Sequence, residues 1–258
     1  MSAAAPHTCL LNTDPNLRQQ ARALAEQFGF ALVTASPADA YYLCLNARGL
    51  QLQRDGALAS GPIQVDFVGG ALGHRRRFGG GRGQPLARAA GIKPDFSPTV
   101  WDATAGLGRD GFVLASLGCR VTLCERSAIV AALLQDALRR ASADKEIGGW
   151  VRSRLKLIHG DSCQLLQSLS KEQQPDVIYL DPMYPSGKKH VLVKKEIRAL
   201  REMLGPDQGS KALLQIALHA ARRRVVVKRP RRAEWLHDNK PDTCIESKKT
   251  RYDIYVTL

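Results

Sequence analysis

Apolar residues recur at helical spacing early in the chain, where Leu17, Ala21, Leu24 and Phe28 line one side. Asp14-Pro15 offers an N-cap with proline at the first helical position, which predicts a helix over Asp14–Phe28. The period then shortens. Tyr41–Leu52 reads as strand around a turn at Asn46–Gly49, and Gly61–Phe67 alternates apolar and polar residues as a further strand. From Thr99 onward, apolar strands and amphipathic helices alternate. Strands are expected at Thr99–Asp102, Val121–Cys124, Leu155–Ile158 and Asp176–Leu180. Helices are expected from Arg109, over Ser127–Ala141 with Ser127 as N-cap, and over Cys163–Leu169. Helices at Val191–Leu204 and Lys211–Ala221, a strand at Arg224–Lys228 and strands at Thr243–Glu246 and Tyr252–Val256 complete the pattern. Such alternation predicts an α/β fold with a mostly parallel sheet. The expected organisation is a small N-terminal α+β cap over 1–70, an Arg/Gly-rich linker with a short lead-in helix (Gln84–Ala90) over 71–92, and a cofactor-binding catalytic domain over 93–258.

The chemistry begins where the first of these strands ends. Asp102 closes it, Ala103–Gly108 forms a loop of small residues, and Glu125 ends the next strand. Gly106 and Gly108 allow backbone dihedrals and a close ligand approach that a Cβ would forbid. The helix that opens at Arg109 turns its free N–H groups toward the same space, and Glu125 is placed to accept both hydroxyls of a ribose. Gly106-Leu-Gly108-Arg-Asp-Gly111 also matches the dinucleotide fingerprint, and Glu125 lies at the matching spacing. Two acids argue against a pyrophosphate. Asp102 at the mouth of the loop and Asp110 in the first helical turn would repel phosphate, whereas both suit a ligand carrying a sulfonium and an amino group. S-adenosylmethionine is therefore the expected cofactor.

Two later strand ends add acids to the same edge. Asp161 and Ser162 follow the third strand, where they can hold the adenine end of a cofactor or, equally, cap the next helix. Asp181-Pro-Met-Tyr-Pro185 follows the fourth, its prolines stiffening a loop that presents a carboxylate and a ring. In this arrangement Asp181 and the Pro182 carbonyl accept hydrogen bonds from an exocyclic amine while Tyr184 stacks on the base.

Composition widens the picture. The 258 residues carry a net charge of +14 and are 44% hydrophobic, which points to a globular protein with a polyanionic partner. Arg75, Arg76, Arg77, Phe78 and Arg82 in the glycine-rich stretch suit phosphate binding and base stacking. Lys188, Lys189, Lys228 and Arg229 can flank a substrate channel. No apolar run is long enough to cross a bilayer, and the first residues lack the pattern of a signal peptide. The six cysteines show no metal-ligand spacing. A cytoplasmic monomer with reduced thiols and no metal is expected.

The loop D-A-T-A-G-L-G-R-D-G, the acid of C-E-R and the segment D-P-M-Y-P resemble class I methyltransferases of the nucleic-acid amino type, with Met183 in place of that pattern's second proline. Together with F-V-G-G-A-L-G-H-R-R-R-F-G-G-G-R-G and R-V-V-V-K-R-P, they resemble the bacterial small-subunit rRNA guanine-N2 methyltransferase J family along nearly the whole chain. The resemblance implies a Rossmann-like seven-stranded sheet with an antiparallel C-terminal strand. It also implies N2-methylguanosine formation in 16S rRNA of the 30S subunit. The family's cofactor contacts then fall on Arg109, Asp110, Glu125, Arg126, Asp161, Ser162 and Asp181, beside the Asp102, Gly106 and Gly108 read from the loop. Two other functions remain open at this point. A non-catalytic RNA-binding assembly factor would leave the edge acids unused, and an NAD-dependent oxidoreductase would leave D-P-M-Y-P unused.

Overall fold

The computed structural model describes residues 8–56, 60–69, 73, 80–182, 202–203, 209–236 and 240–257. Two sheets organise them. The smaller contains β1 (Cys9–Asn12), β2 (Ala31–Val33), β3 (Tyr41–Asn46), β4 (Gly49–Arg54) and β5 (Ser60–Ile63) in the order β2-β1-β3-β4-β5. Its helix α1 (Arg18–Phe28) starts later than the sequence pattern suggests. The Asp14 side chain accepts the Asn16 N–H at 2.9 Å, so Pro15–Leu17 winds first as a 3-10 turn. β5 is shorter than expected for two reasons. Pro62 cannot donate to a ladder and sits on the edge strand, and the Asp66 carboxylate then accepts the N–H groups of Val68 and Gly69 in a tight turn.

The larger sheet contains β6 (Thr99–Asp102), β7 (Arg120–Glu125), β8 (Leu155–His159), β9 (Val177–Leu180), β10 (Arg224–Pro230), β11 (Thr243–Glu246) and β12 (Thr250–Val256). The order is β11-β12-β10-β9-β6-β7-β8. The five strands from β10 to β8 are mutually parallel, while β12 runs antiparallel to β10. β6 is central, with β7 on one side and β9 on the other, so the winding reverses between β6 and β9. Ligands of open α/β sheets sit at such a reversal, beyond the carboxyl ends of the strands.

After the lead-in helix α2 (Pro85–Ala89), one face of this sheet carries α3 (Arg109–Ser116), α4 (Ala128–Ser142) and α5 (Gly148–Arg154); the other carries α6 (Ser162–Gln167) and α7 (Ser210–Ala220). Ser127 caps α4 as expected, accepting the Val130 N–H. The sequence pattern does not reveal α5, whose first two residues are glycines, poor helix formers.

The two sheets share one core. α4 packs against β4 of the small sheet as well as β7 and β8 of the large one, and buried residues of both sheets form a single apolar cluster. Asp136 on α4 is fully buried at this seam. It accepts the Leu50 N–H at 3.0 Å and pairs with Arg139 and Arg140 at 2.9 and 2.8 Å. Phe67 stacks on Phe112 of α3, with ring centroids 4.7 Å apart.

Candidate active site

The glycine loop forms as the residues demand. Gly106 and Gly108 have φ of 52° and 69°, left-handed values that favour glycine. A Cβ on Gly106 would meet nothing closer than 3.8 Å, so the loop leaves open space beside it. Gly111 has a different use: a Cβ there would collide with the Leu123 side chain, so this glycine lets α3 lie close on β7.

Glu125 ends β7 and ties the loop down. Its Oε2 accepts the Gly106 N–H at 2.9 Å and its Oε1 the Ser127 N–H at 2.7 Å. Burial raises its pKa, and those two N–H groups draw it back. Each carboxylate oxygen retains acceptor capacity. A held acid at a strand end beside an open glycine turn fits the ribose diol of adenosylmethionine. Arg109 opens α3 half-buried, and Arg126 lies exposed beside Glu125.

Asp161 and Ser162 have structural partners here. Asp161 is the N-cap of α6, accepting the Gln164 N–H at 3.1 Å, and buried Ser162 donates to the Ala103 carbonyl at 2.7 Å. That bond clips α6 to the loop after β6. His159, at the end of β8, packs its ring 5.3 Å from Phe28.

The reversal between β6 and β9 gathers three carboxylates and one ammonium. Lys228 of β10 places its Nζ 2.6 Å from Asp110 Oδ2 and 2.8 Å from Asp181 Oδ2. The Tyr179 hydroxyl donates to Asp110 Oδ2 at 2.8 Å, and the Asp181 N–H donates to Thr104 Oγ1 at 2.6 Å. Asp181 is the open member, with 40% of its side chain exposed against 8% for Asp110. Among the described residues, no donor reaches Asp181 Oδ1. Protein surrounding its other sides raises the Asp181 pKa, and the Lys228 ammonium pulls it back. Burial acts against the Lys228 charge, yet the Asp110 and Asp181 carboxylates outweigh it and raise its pKa. Asp102 lies beneath the loop, only 2% exposed, and burial followed by repulsion from Asp110 pushes its pKa well above the carboxylate range.

This geometry corrects two expectations. Lys228 is engaged by carboxylates inside the site, so it is not a free phosphate contact. Arg229 points to the opposite face of β10, is 6% exposed and donates Nε and Nη2 to the Glu234 carbonyl, which keeps it from phosphate. Arg82 donates to the Pro94 carbonyl at 2.9 Å, and its charge acts on Cys119, which immediately precedes β7. It therefore belongs to the amino-terminal edge of the sheet, away from Asp181. Arg75, Arg76, Arg77, Phe78, Tyr184, Lys188 and Lys189, and most of the expected helix over 191–204, lie outside the described residues.

The comparisons with known proteins converge on one family. Residues 23–257 match the family model "Putative SAM-dependent methyltransferase". Ribosomal RNA small subunit methyltransferase J of Aeromonas hydrophila is 51% identical over 247 residues, spanning 96% of this chain and 97% of that protein. The chain belongs to the ribosomal RNA small subunit methyltransferase J family. The J-family protein of Aliivibrio fischeri is 48% identical over 253 residues, covering 96% of each chain. A SAM-dependent methyltransferase of Neisseria gonorrhoeae, solved as a crystal structure, is 36% identical and superposes with a TM-score of 0.78 over 97% of this chain and 96% of that one. Family membership makes this chain an adenosylmethionine-dependent enzyme.

Proposed function

We propose that the protein methylates the exocyclic N2 amine of a guanosine in 16S rRNA, within the small ribosomal subunit. The reaction class follows from the family, and the small-subunit substrate is the one named for its relatives. The observation that carries the acceptor assignment is Asp181. Its carboxylate has one oxygen held by Lys228 and the other without a donor among the described residues, at the sheet reversal beside the glycine loop.

The guanine N2 lone pair is delocalised into the ring, which makes it a poor nucleophile. Asp181 Oδ1 and the Pro182 carbonyl would accept its two hydrogens and favour the pyramidal nitrogen that attacks. Stabilisation of positive charge developing on that nitrogen is the largest contribution assigned to these groups. Bound adenosylmethionine supplies an electrophilic methyl group on a sulfonium. Glu125 and the glycine loop fix where that group lies, so positioning contributes much of the rate. Transfer would form the N–C bond as the methyl–sulfonium bond breaks, and the nitrogen would then lose one proton to Asp181, whose pKa burial raises. Lys228 keeps the neighbouring Asp110 charge from opposing ionisation of Asp181. A paired guanosine would need to leave its stack to reach this position.

Transfer of labelled methyl from adenosylmethionine to 30S subunits from cells lacking the gene, followed by nucleoside analysis, tests the proposal. Label in N2-methylguanosine is expected. Label in N6-methyladenosine would overturn the acceptor, and absence of label from rRNA would overturn the substrate.

A further inference from the structure

The amino-terminal edge of the large sheet, opposite Asp181, carries a groove that the methyl-transfer reading does not use. Its volume is about 410 Å³, large enough for a nucleotide-sized ligand. Arg120, Arg152, Arg154, Lys156 and Arg222 line it, against a single acid, Glu172. These cations come from the starts of β7 and β8, the end of α5 and the turn before β10, so the fold brings together charges that are scattered in sequence.

The charges are incompletely neutralised. Among the described residues, Arg120 and Lys156 are exposed and have no ion-pair partner. Arg154 donates to the Ala115 carbonyl and Arg152 to the Ser142 carbonyl; these bonds orient the guanidiniums without cancelling them. Arg222 stands 3.7 Å from Asp176, which also serves Arg223 and Thr99. Gathering like charges around a concavity costs self-repulsion, which a polyanion relieves. Trp101 also lines the groove, and its buried indole Nε1–H has no acceptor among the described residues. Arg82 lies toward the same edge, beside Cys119.

We propose that this groove is a second RNA contact, binding the phosphodiester backbone of the rRNA substrate at a point remote from the target base. The proposal rests on the rRNA-methyltransferase reading and adds a surface to it. The strands separating the groove from Asp181 span four residues in β6, roughly 13 Å. The RNA must therefore pass around the edge of the sheet or present a second strand. The contact is to backbone, since guanidinium and ammonium groups suit phosphates, and Trp101, the aromatic among the described lining residues, is too buried to stack a base.

The test uses the full-length protein with Arg120→Glu and Lys156→Glu together, binding deproteinised 16S rRNA and, separately, assembled 30S subunits across a salt series. Melting temperature and adenosylmethionine affinity serve as controls, and Arg120→Gln with Lys156→Gln replaces the pair should charge reversal unfold the chain. Loss of two phosphate contacts should flatten the log–log salt slope by about 1.4–1.8 and weaken binding to deproteinised RNA at least about tenfold. An unchanged slope and affinity would overturn the groove while leaving methyl transfer by the wild type intact. Loss on 30S subunits alone would assign the groove to an acidic ribosomal protein and overturn the RNA contact. A wild type that methylates no rRNA would fail the substrate reading independently of the slope.

Discussion

Replacing Lys228 by methionine keeps the aliphatic stem and removes the ammonium that lies 2.6 Å from Asp110 and 2.8 Å from Asp181. At an effective dielectric of about 20, each such pair attracts by roughly 6 kcal/mol before desolvation is counted. Burial of the ammonium cancels much of this, and solvent at the open side of Asp181 screens its share. The cost is set chiefly by Asp110, 8% exposed, which retains the Tyr179 hydroxyl. Stranding a carboxylate at that depth costs about 3–5 kcal/mol, and the retained hydroxyl with partial opening to water reduces this to about 2–3 kcal/mol. For a chain of this length the melting temperature should fall by about 5–10 °C. The Lys228 pKa is raised on folding, so its contribution is complete below the ordinary lysine value and is lost only above the folded one. The deficit is therefore present at neutral pH. Without the ammonium, the Asp181 pKa should climb further, and the acid limb of kcat should move upward. On the acid side of that limb kcat should fall below wild type at each pH, while KM for adenosylmethionine stays near the wild-type value because Glu125 is untouched. Thermal melts and kcat profiles from about pH 5 to pH 9 measure both effects. A superimposable profile with an unchanged melting temperature would refute the assignment of Lys228 to the site.

Glu125→Ala should weaken adenosylmethionine binding about 10- to 100-fold in calorimetry, from the loss of charge-assisted hydrogen bonds worth about 1.5–3 kcal/mol. Wild-type affinity would show that the ribose lies elsewhere. Gly111→Ala forces a Cβ into the Leu123 side chain and to 3.2 Å from Asp102 Oδ2. Overpacking of about 1–3 kcal/mol should exceed the gain of about 1 kcal/mol in helix propensity, so a melting temperature at or above wild type would contradict the tight α3–β7 contact. Asp102→Asn tests the raised Asp102 pKa. A carboxyl raised on folding stabilises the protein below its unfolded pKa and loses that contribution as pH rises. The variant's stability relative to wild type should therefore increase upward from about pH 4, and a difference independent of pH would exclude a shifted Asp102.

The βαβ unit was legible because its determinants are local. Gly106, Gly108 and Glu125 lie within 20 residues, and each has a backbone or strand-end use that any chain with this pattern must satisfy. The strand-end acids were legible for the same reason. The role of Lys228 was not, because it depends on β10 pairing with β9, and in sequence R-V-V-V-K-R-P reads as another basic run. Asp161 shows the limit of spacing arguments: an acid that follows a strand also precedes a helix, and the α6 cap uses it. The rear groove was illegible because Arg120, Arg152 and Arg222 lie on separate elements. β1 and β2 are four and three residues long, too short to show a period.

The Asp136 seam constrains how the enzyme meets so large a substrate. A swing of the small sheet relative to the catalytic one would break the Leu50–Asp136 hydrogen bond, part the Phe67–Phe112 stack and wet an apolar surface that both sheets bury. Closure by hinge motion between the sheets is thereby opposed, and the described framework behaves mechanically as one body. Adaptation must then come mainly from the RNA, whose conformational strain becomes part of the affinity. A target nucleotide that is already unstacked, or held in a deformable loop, would be favoured on mechanical grounds before any base edge is read.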